Sequence, residues 1–358
     1  ANLLLWKFLG RPDDLFNIHT NWTSTFYGHD SLLRKDHMLK VFDVMASFVR
    51  DQVVEQKTRD AELAAVHQEY LLRGVDSMED LIEVLIHQEL YQKNPARNRI
   101  DCEPEEVRTI TVQDINTFIS KYYLPNNAFV VLLGPSFEGA KKLVRRYFSD
   151  WEPGKLPESE YDHSEDTPVL TSIKTLEATR IGIHQYHVAV GFPTETYLSR
   201  DSETLDVLAR ILEIRLYERL RAKNRSFEKG VYRVFAVTRR TSVHGLLFVY
   251  FATKSRAFAE HGAETILQEI ESLKQEAVAN DELDAAVGNL YYEYLDDFRN
   301  TPGKLADRII DAAANGDEDL VHLHSFPEQI HRVGKKKITK VANKYFSSPH
   351  VRIIISPK

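Results

Sequence analysis

The sequence predicts an α+β protein of two tandem homologous domains, each a mostly antiparallel sheet with helices packed on one face. Three observations point there. First, the chain contains one piece twice. Val112 to Gly134 reads VQDINTFISKYYLPNNAFVVLLG, and Gly334 to Pro357 reads GKKKITKVANKYFSSPHVRIIISP. Shifted by 223 positions, Ile115 falls on Ile338, Lys121 on Lys344 and Tyr122 on Tyr345. Each copy reads as an amphipathic helix, a polar turn with Pro and an apolar β-rich strand. A repeat at this distance means two similar domains rather than a solenoid. Second, strands and helices come in runs within each half, the pattern of an α+β sheet. Third, residues 149–167, SDWEPGKLPESEYDHSEDT, are rich in Pro, Gly and acids. They read as a linker, which gives an N-terminal domain over 1–149, a linker over 150–167 and a C-terminal domain over 168–358.

The elements follow in order. HTNWTSTFY, residues 19–27, is Thr- and aromatic-rich and reads as one strand. Apolar residues recur at helical spacing from Ser31 to about Glu55. Further helices are expected over about Lys57–Leu72 and Ser77–Gln92. NPARNRIDCEPEEV reads as a loop, and Thr111 as the cap of a helix ending near Tyr123. Phe129–Leu133 is the expected strand of the first copy, and Ser136–Phe148 a helix. In the second half, strands are expected near 169–176, 182–192, 232–238 and 245–253. Helices are expected over 202–222, 257–276 and 281–298, with Thr301-Pro302 ending one and starting the next. The repeated helix and strand close the chain.

The 358 residues are 43% hydrophobic, enough for about two domains with cores. A formal net charge of −7 argues against nucleic acid as a direct partner. The basic stretch Arg332 to Lys340 reads as a solvated helix face. One cysteine, Cys102, permits no intramolecular disulfide and fits a reducing compartment. No apolar run reaches the ~18 residues that cross a bilayer, and no signal or transit peptide is visible.

The residues that suggest chemistry lie on the second helix. Glu62 and Glu69 stand seven apart, about two turns, and so share a face. By spacing alone such a pair reads as a solvated face. Its surroundings say more: an Asn21, Thr25, Tyr27 strand and a long amphipathic helix before it, then YYLPNNAFVVLLG from Tyr122, then a second half with RLYERLR from Arg215 to Arg221. This order resembles the pitrilysin/insulinase family of zinc metallopeptidases, the inverzincins, over most of the chain. The resemblance implies two or four tandem α+β domains that close like a clam shell around a peptide. In that family an H-x-x-E-H helix supplies two His ligands and a Glu base, and the second Glu of a downstream Glu-x6-Glu helix is the third ligand. The resemblance therefore makes Glu69 a metal ligand, provided a His pair comes from residues not in this chain, and Glu62 a supporting acid. It makes Arg221 and Tyr232 the nearest match to the pair that holds the substrate backbone and the oxyanion. The gap between them is about four residues longer than the family pattern.

No H-x-x-E-H or H-E-x-x-H occurs in the sequence. If Phe8-Leu9-Gly10 continues the motif, then Ala1, Leu4 and Leu5 stand where His, Glu and His belong. The alternative is that the motif is not in this chain. His184 and His187, His322 and His324, and His67 read as ordinary polar or core histidines. Two functional expectations result. One is a catalytically degenerate subunit without zinc, structural or interacting, like the core subunits of the respiratory bc1 complex or the non-catalytic subunit of mitochondrial processing peptidase. It implies a hetero-oligomeric complex with protein subunits as partners, in a mitochondrion. The other is an active zinc metalloendopeptidase acting on peptide.

Overall fold

In a computed structural model of the chain, the described residues are 17–29, 35–71, 77–91, 95–100, 102–134, 139–158, 170–222, 231–300 and 302–358. In chain order they form β1 (Asn17–Thr20), β2 (Thr25–Gly28), α1 (Lys35–Val49), α2 (Gln56–Leu71), α3 (Met78–Leu90), α4 (Pro104–Thr109), α5 (Val112–Tyr122) and α6 (Ala140–Phe148). Then follow β3 (Lys174–Arg180), β4 (Tyr186–Pro193), α7 (Ser202–Leu216), β5 (Val231–Arg240), β6 (Gly245–Thr253), α8 (Arg256–Gln275), α9 (Asn280–Asn300), α10 (Pro302–Ala314), α11 (Val321–His331), α12 (Lys335–Phe346) and β7 (Val351–Pro357). The α+β class expected from the sequence is the one observed.

The chain's contacts sort into two compact units, and neither is continuous in sequence. The first holds residues 1–71, 100–161 and 302–310. The second holds 72–99, 162–301 and 311–358. Helix α3 therefore belongs with the second unit although it precedes the linker. The start of α10 belongs with the first. Shifted by 223, residues 78–90 fall on 301–313, so α3 and α10 hold matching places in the sequence, though only residues 302–310 of α10 sort with the first unit. Linker residues 159–167 lie outside the described residues.

In the second unit the sheet order is β3-β7-β4-β6-β5. β3 pairs with β7 in parallel, and the other pairs are antiparallel. Every residue of β6 is buried. That explains its unbroken apolar run LLFVYFA, since a strand covered on both faces needs no polar alternation. Leu247, Val249 and Phe251 join Val188, Val190 and Phe192 of β4 in one core with Leu208 and Leu212 of α7, Ala263 and Ile266 of α8 and Ile338 and Val341 of α12. On the other side α3 buries Ile82, Ile86 and Leu90. Gly191 of β4 makes room for it: a Cβ there would stand 2.7 Å from Ile86 Cγ2.

The first unit departs from expectation in three places. Residues 19–27 form a two-stranded antiparallel hairpin, not one strand. The side-chain oxygen of Asn21 accepts from the backbone N–H groups of Thr23 and Ser24 at 2.9 and 2.8 Å, an Asx turn that reverses the chain. The expected loop over 94–107 contains α4, begun by Pro104 and a capping box between Glu103 and Glu106. Phe129–Leu133 is no strand: it carries no ladder, and Phe129 and Val130 are about half exposed. Its counterpart β7 is paired on both sides, with β3 and β4. The same contrast separates the helices of the repeat. α12 buries Ile338, Val341, Ala342, Tyr345 and Phe346, whereas α5 buries none of its residues.

Candidate functional site

α2 carries both glutamates singled out by spacing. It buries none of its residues, and Glu62 and Glu69 are both exposed to solvent. Its anchor is Arg59, whose guanidinium donates to the carbonyl of Arg108 at 2.7 Å and to that of Ile110 at 2.9 Å. At the helix's other end Tyr70 donates to Glu103 at 2.6 Å. Between α2 and the 102–108 segment lies an open cavity of about 340 Å³, lined by Leu63, His67, Tyr70, Cys102, Val107 and Arg108 among others. The two glutamates lie outside this lining. Among the described residues, no three or more His, Cys, Asp and Glu side chains stand together as a metal group would require. A single exposed carboxylate is not a zinc site, so the described residues alone do not fit the metal. Ala1, Leu4 and Leu5 lie outside the described residues.

Asn21, Thr25 and Tyr27 sit on the β1–β2 hairpin. Tyr27 shares a 2.8 Å hydrogen bond between hydroxyls with Tyr123, the residue that closes α5. Burial and this bond push the Tyr27 hydroxyl well above its usual range.

Arg221 and Tyr232 both fall on irregular backbone in the second unit. α7 ends in a π-turn over Tyr217–Ala222, which includes Arg221. Such turns recur at functional sites. Tyr232 is the extra residue of a β-bulge: Val231 pairs with Thr253 and Arg233 with Ala252, leaving Tyr232 without a register partner. The side chains of both, and residues 223–230 between them, lie outside the described residues. Two arginines of the RLYERLR segment brace the turn. Arg215 forks onto Glu282 at 2.6 and 3.0 Å, and Arg219 binds the nearly buried Glu269. The pairing holds the Glu282 carboxyl below its usual range, with burial opposing.

The scattered histidines are placed as follows. His187 is buried on β4 and shares a 2.8 Å hydrogen bond with the hydroxyl of Tyr250, and burial holds its imidazole down to about 4. His322 stands 3.3 Å from Glu203. His67 lines the α2 cavity.

Sequence reasoning missed a different cluster. His87 of α3 and His244 of the β5–β6 turn are 0 and 2% exposed, with ring centroids 4.9 Å apart. Tyr91 stacks against His87 and donates to the carbonyl of Gly245 at 2.5 Å. Burial holds the His87 imidazole down to about 4. Burial and the neighbouring His87 hold that of His244 to about 3. No local motif announces this cluster, because its members lie 157 positions apart and meet only once α3 has crossed to the second unit's sheet.

Comparison with known proteins agrees with this architecture. The chain is 20% identical over 246 residues to the "Zinc protease PqqE" of Helicobacter pylori; the match takes in 68% of the chain and 54% of the relative, so the chain spans about half the length of that curated protein. Among solved structures, a protease from Helicobacter pylori superposes with a TM-score of 0.84 at 18% identity, over 98% of this chain and 84% of that one. The first half of the periplasmic protease PqqL from Escherichia coli gives 0.74 at 14% identity, over 99 and 78%. A chain of complex III2 from Candida albicans gives 0.74 at 12%, over 96 and 82%. At these identities the structures show the shared fold alone. The model of the "Peptidase M16 inactive domain" matches residues 109–290, just over half of the chain. The chain thus belongs to the M16 peptidases, the pitrilysin-type family its sequence resembles, and is matched there through the family's inactive domain.

Proposed function

We propose that this protein is a catalytically degenerate M16 subunit with a structural or interacting role in a larger hetero-oligomeric complex. The observation that carries the reading is the match of residues 109–290 to the inactive domain of the family. The likeness to a chain of complex III2 supports a place in a multi-subunit assembly. Protein subunits are the partners this reading calls for, and it holds no zinc. The compartment we assign is the mitochondrion, from the family resemblance and the single cysteine. Among the described residues no helix is long and apolar enough to cross a membrane.

A second reading is favoured by the relative named a zinc protease. There, Glu69 is the third zinc ligand and Glu62 its supporting acid, with the His pair supplied by residues outside this chain, and Arg221 and Tyr232 hold the peptide.

Size-exclusion chromatography of native extract, with zinc analysis and a chelator test, separates the two. Elution within a large complex, no stoichiometric zinc and no response to chelator support the degenerate subunit. A free ~41 kDa species holding one zinc per chain, with peptidase activity lost to chelator, overturns it.

A further inference from the structure

We propose that α3 is an acid-released clasp: protonation of His87 and His244 undocks this exchanged helix from the sheet of the second unit while the sheet's own helical core stays folded. The geometry gives the argument. α3 lies on the sheet face opposite α7, α8 and α12, where it buries Ile82, Ile86 and Leu90, and two kinds of polar contact add to that seat. Along its rim, Glu79 pairs with Arg233 of β5 at 2.6 Å, Glu83 with Arg239 of β5 at 3.3 Å, and Glu89 with Lys174 of β3 at 3.4 Å. At its C-terminal end the seat is the His87, His244 and Tyr91 cluster, closed to solvent. His87 Nδ1 lies 2.9 Å from the carbonyl of Glu83 and so carries its proton there. The Thr241 hydroxyl accepts from the N–H groups of Val243 and His244, which leaves its own proton for His244 Nδ1 at 2.9 Å. The Thr241 bond thus holds His244 neutral, and burial holds His87 neutral against the Glu83 carbonyl, which by itself favours the added proton. A proton added to either puts a cation in a site closed to solvent, beside a second imidazole, and for His87 near the Arg239 guanidinium.

The other charges facing the cluster do not supply the same response. On α3 they are Glu79, Asp80 and Glu83. On β5 they are Arg233, Arg239 and Arg240, the last paired with Asp206 at 2.7 Å. Asp311 and Asp317 act on Tyr197, whose backbone N–H donates to the carbonyl of Thr241. Burial raises the carboxyls of Glu79 and Glu83. A carboxyl raised in the docked state favours docking as pH falls, so these two oppose release. A histidine lowered in the docked state does the reverse. Its stabilisation is complete above the free value of 6.5 and is lost as pH falls toward the docked values of about 4 and 3. The release window therefore opens below about pH 6.5 and belongs to the histidines.

The test is hydrogen exchange on the full chain, corrected for intrinsic rates, at pH 7 and pH 5. The free value of 6.5 and the docked values of about 4 and 3 predict that the open fraction of α3 rises roughly 20-fold per histidine, several hundred-fold together, over that interval, with α8 unchanged. The His87→Leu/His244→Leu double variant should lose most of this rise, either single variant should keep roughly 20-fold, and Glu83→Gln, which removes an opposing group, should keep all of it or more. Imidazole titration of the wild-type protein by NMR is a second measurement that needs no variant. Both resonances should stay neutral to below pH 5 while α3 is docked. The proposal is overturned by α3 and α8 opening together, by an undiminished rise in the double variant, or by either imidazole titrating near 6.5 with α3 in place.

Discussion

Gly191 shows how much one missing carbon decides. The strand that holds it is buried on both faces, and Ile86 of α3 fills the space a side chain would take. Gly191→Ala should cost about 1–3 kcal/mol in chemical denaturation, the usual penalty of overpacking. Combining it with Ile86→Ala should recover part of that loss, and a coupling of at least ~0.5 kcal/mol in the double-mutant cycle is the expected outcome. Additive effects would show that α3 does not rest on this strand. The Arg215 fork onto Glu282 is equally specific, since lysine cannot reproduce two parallel donors. At this scale the sequence showed which residues were unusual but not who their neighbours are. Glu62 and Glu69 were legible as a pair on one helix face, because helical spacing is local. Nothing local joins His87 to His244.

Helices α5 and α12 share a sequence pattern but differ in burial. Ile338 is fully buried, while its counterpart Ile115 is only partly covered. Ile338→Ala should cost about 2–5 kcal/mol in equilibrium unfolding, and Ile115→Ala about 1 kcal/mol or less. Equal losses would mean that α5 is packed as tightly as α12. Most elements were legible from period and punctuation, including the Thr111 cap, the Pro302 start and the β6 run. Two were hidden and one was expected where none forms, each for a distinct reason. α4 is six residues long and set by a capping box rather than by periodicity. α11 has Pro327 inside it, which breaks the helical pattern. Phe129–Leu133 has the composition of a strand, but a strand also needs a neighbour, and composition does not report one.

For the whole molecule, the sequence places its break near 150–167, while the structure divides the chain across that break at α3 and α10. Fragments 1–158 and 168–358 expressed apart should each lack a helix of their own unit and be prone to aggregate. Expressed together they should recover a complex with the thermal transition of the intact chain. A stable, cooperatively melting 168–358 fragment on its own would show that α3 is dispensable to the second unit. After most duplications the two copies are free to drift apart, because each carries its own complete interior. Here the second unit takes α3 from the first half of the sequence, and the first unit takes residues 302–310 from the second half. A substitution on the sheet of one half is therefore judged by a helix encoded in the other half, and a recombination that replaced one half alone would bring in a helix never fitted to its seat. The linker is a seam in the gene, and heredity must treat the two halves as one piece.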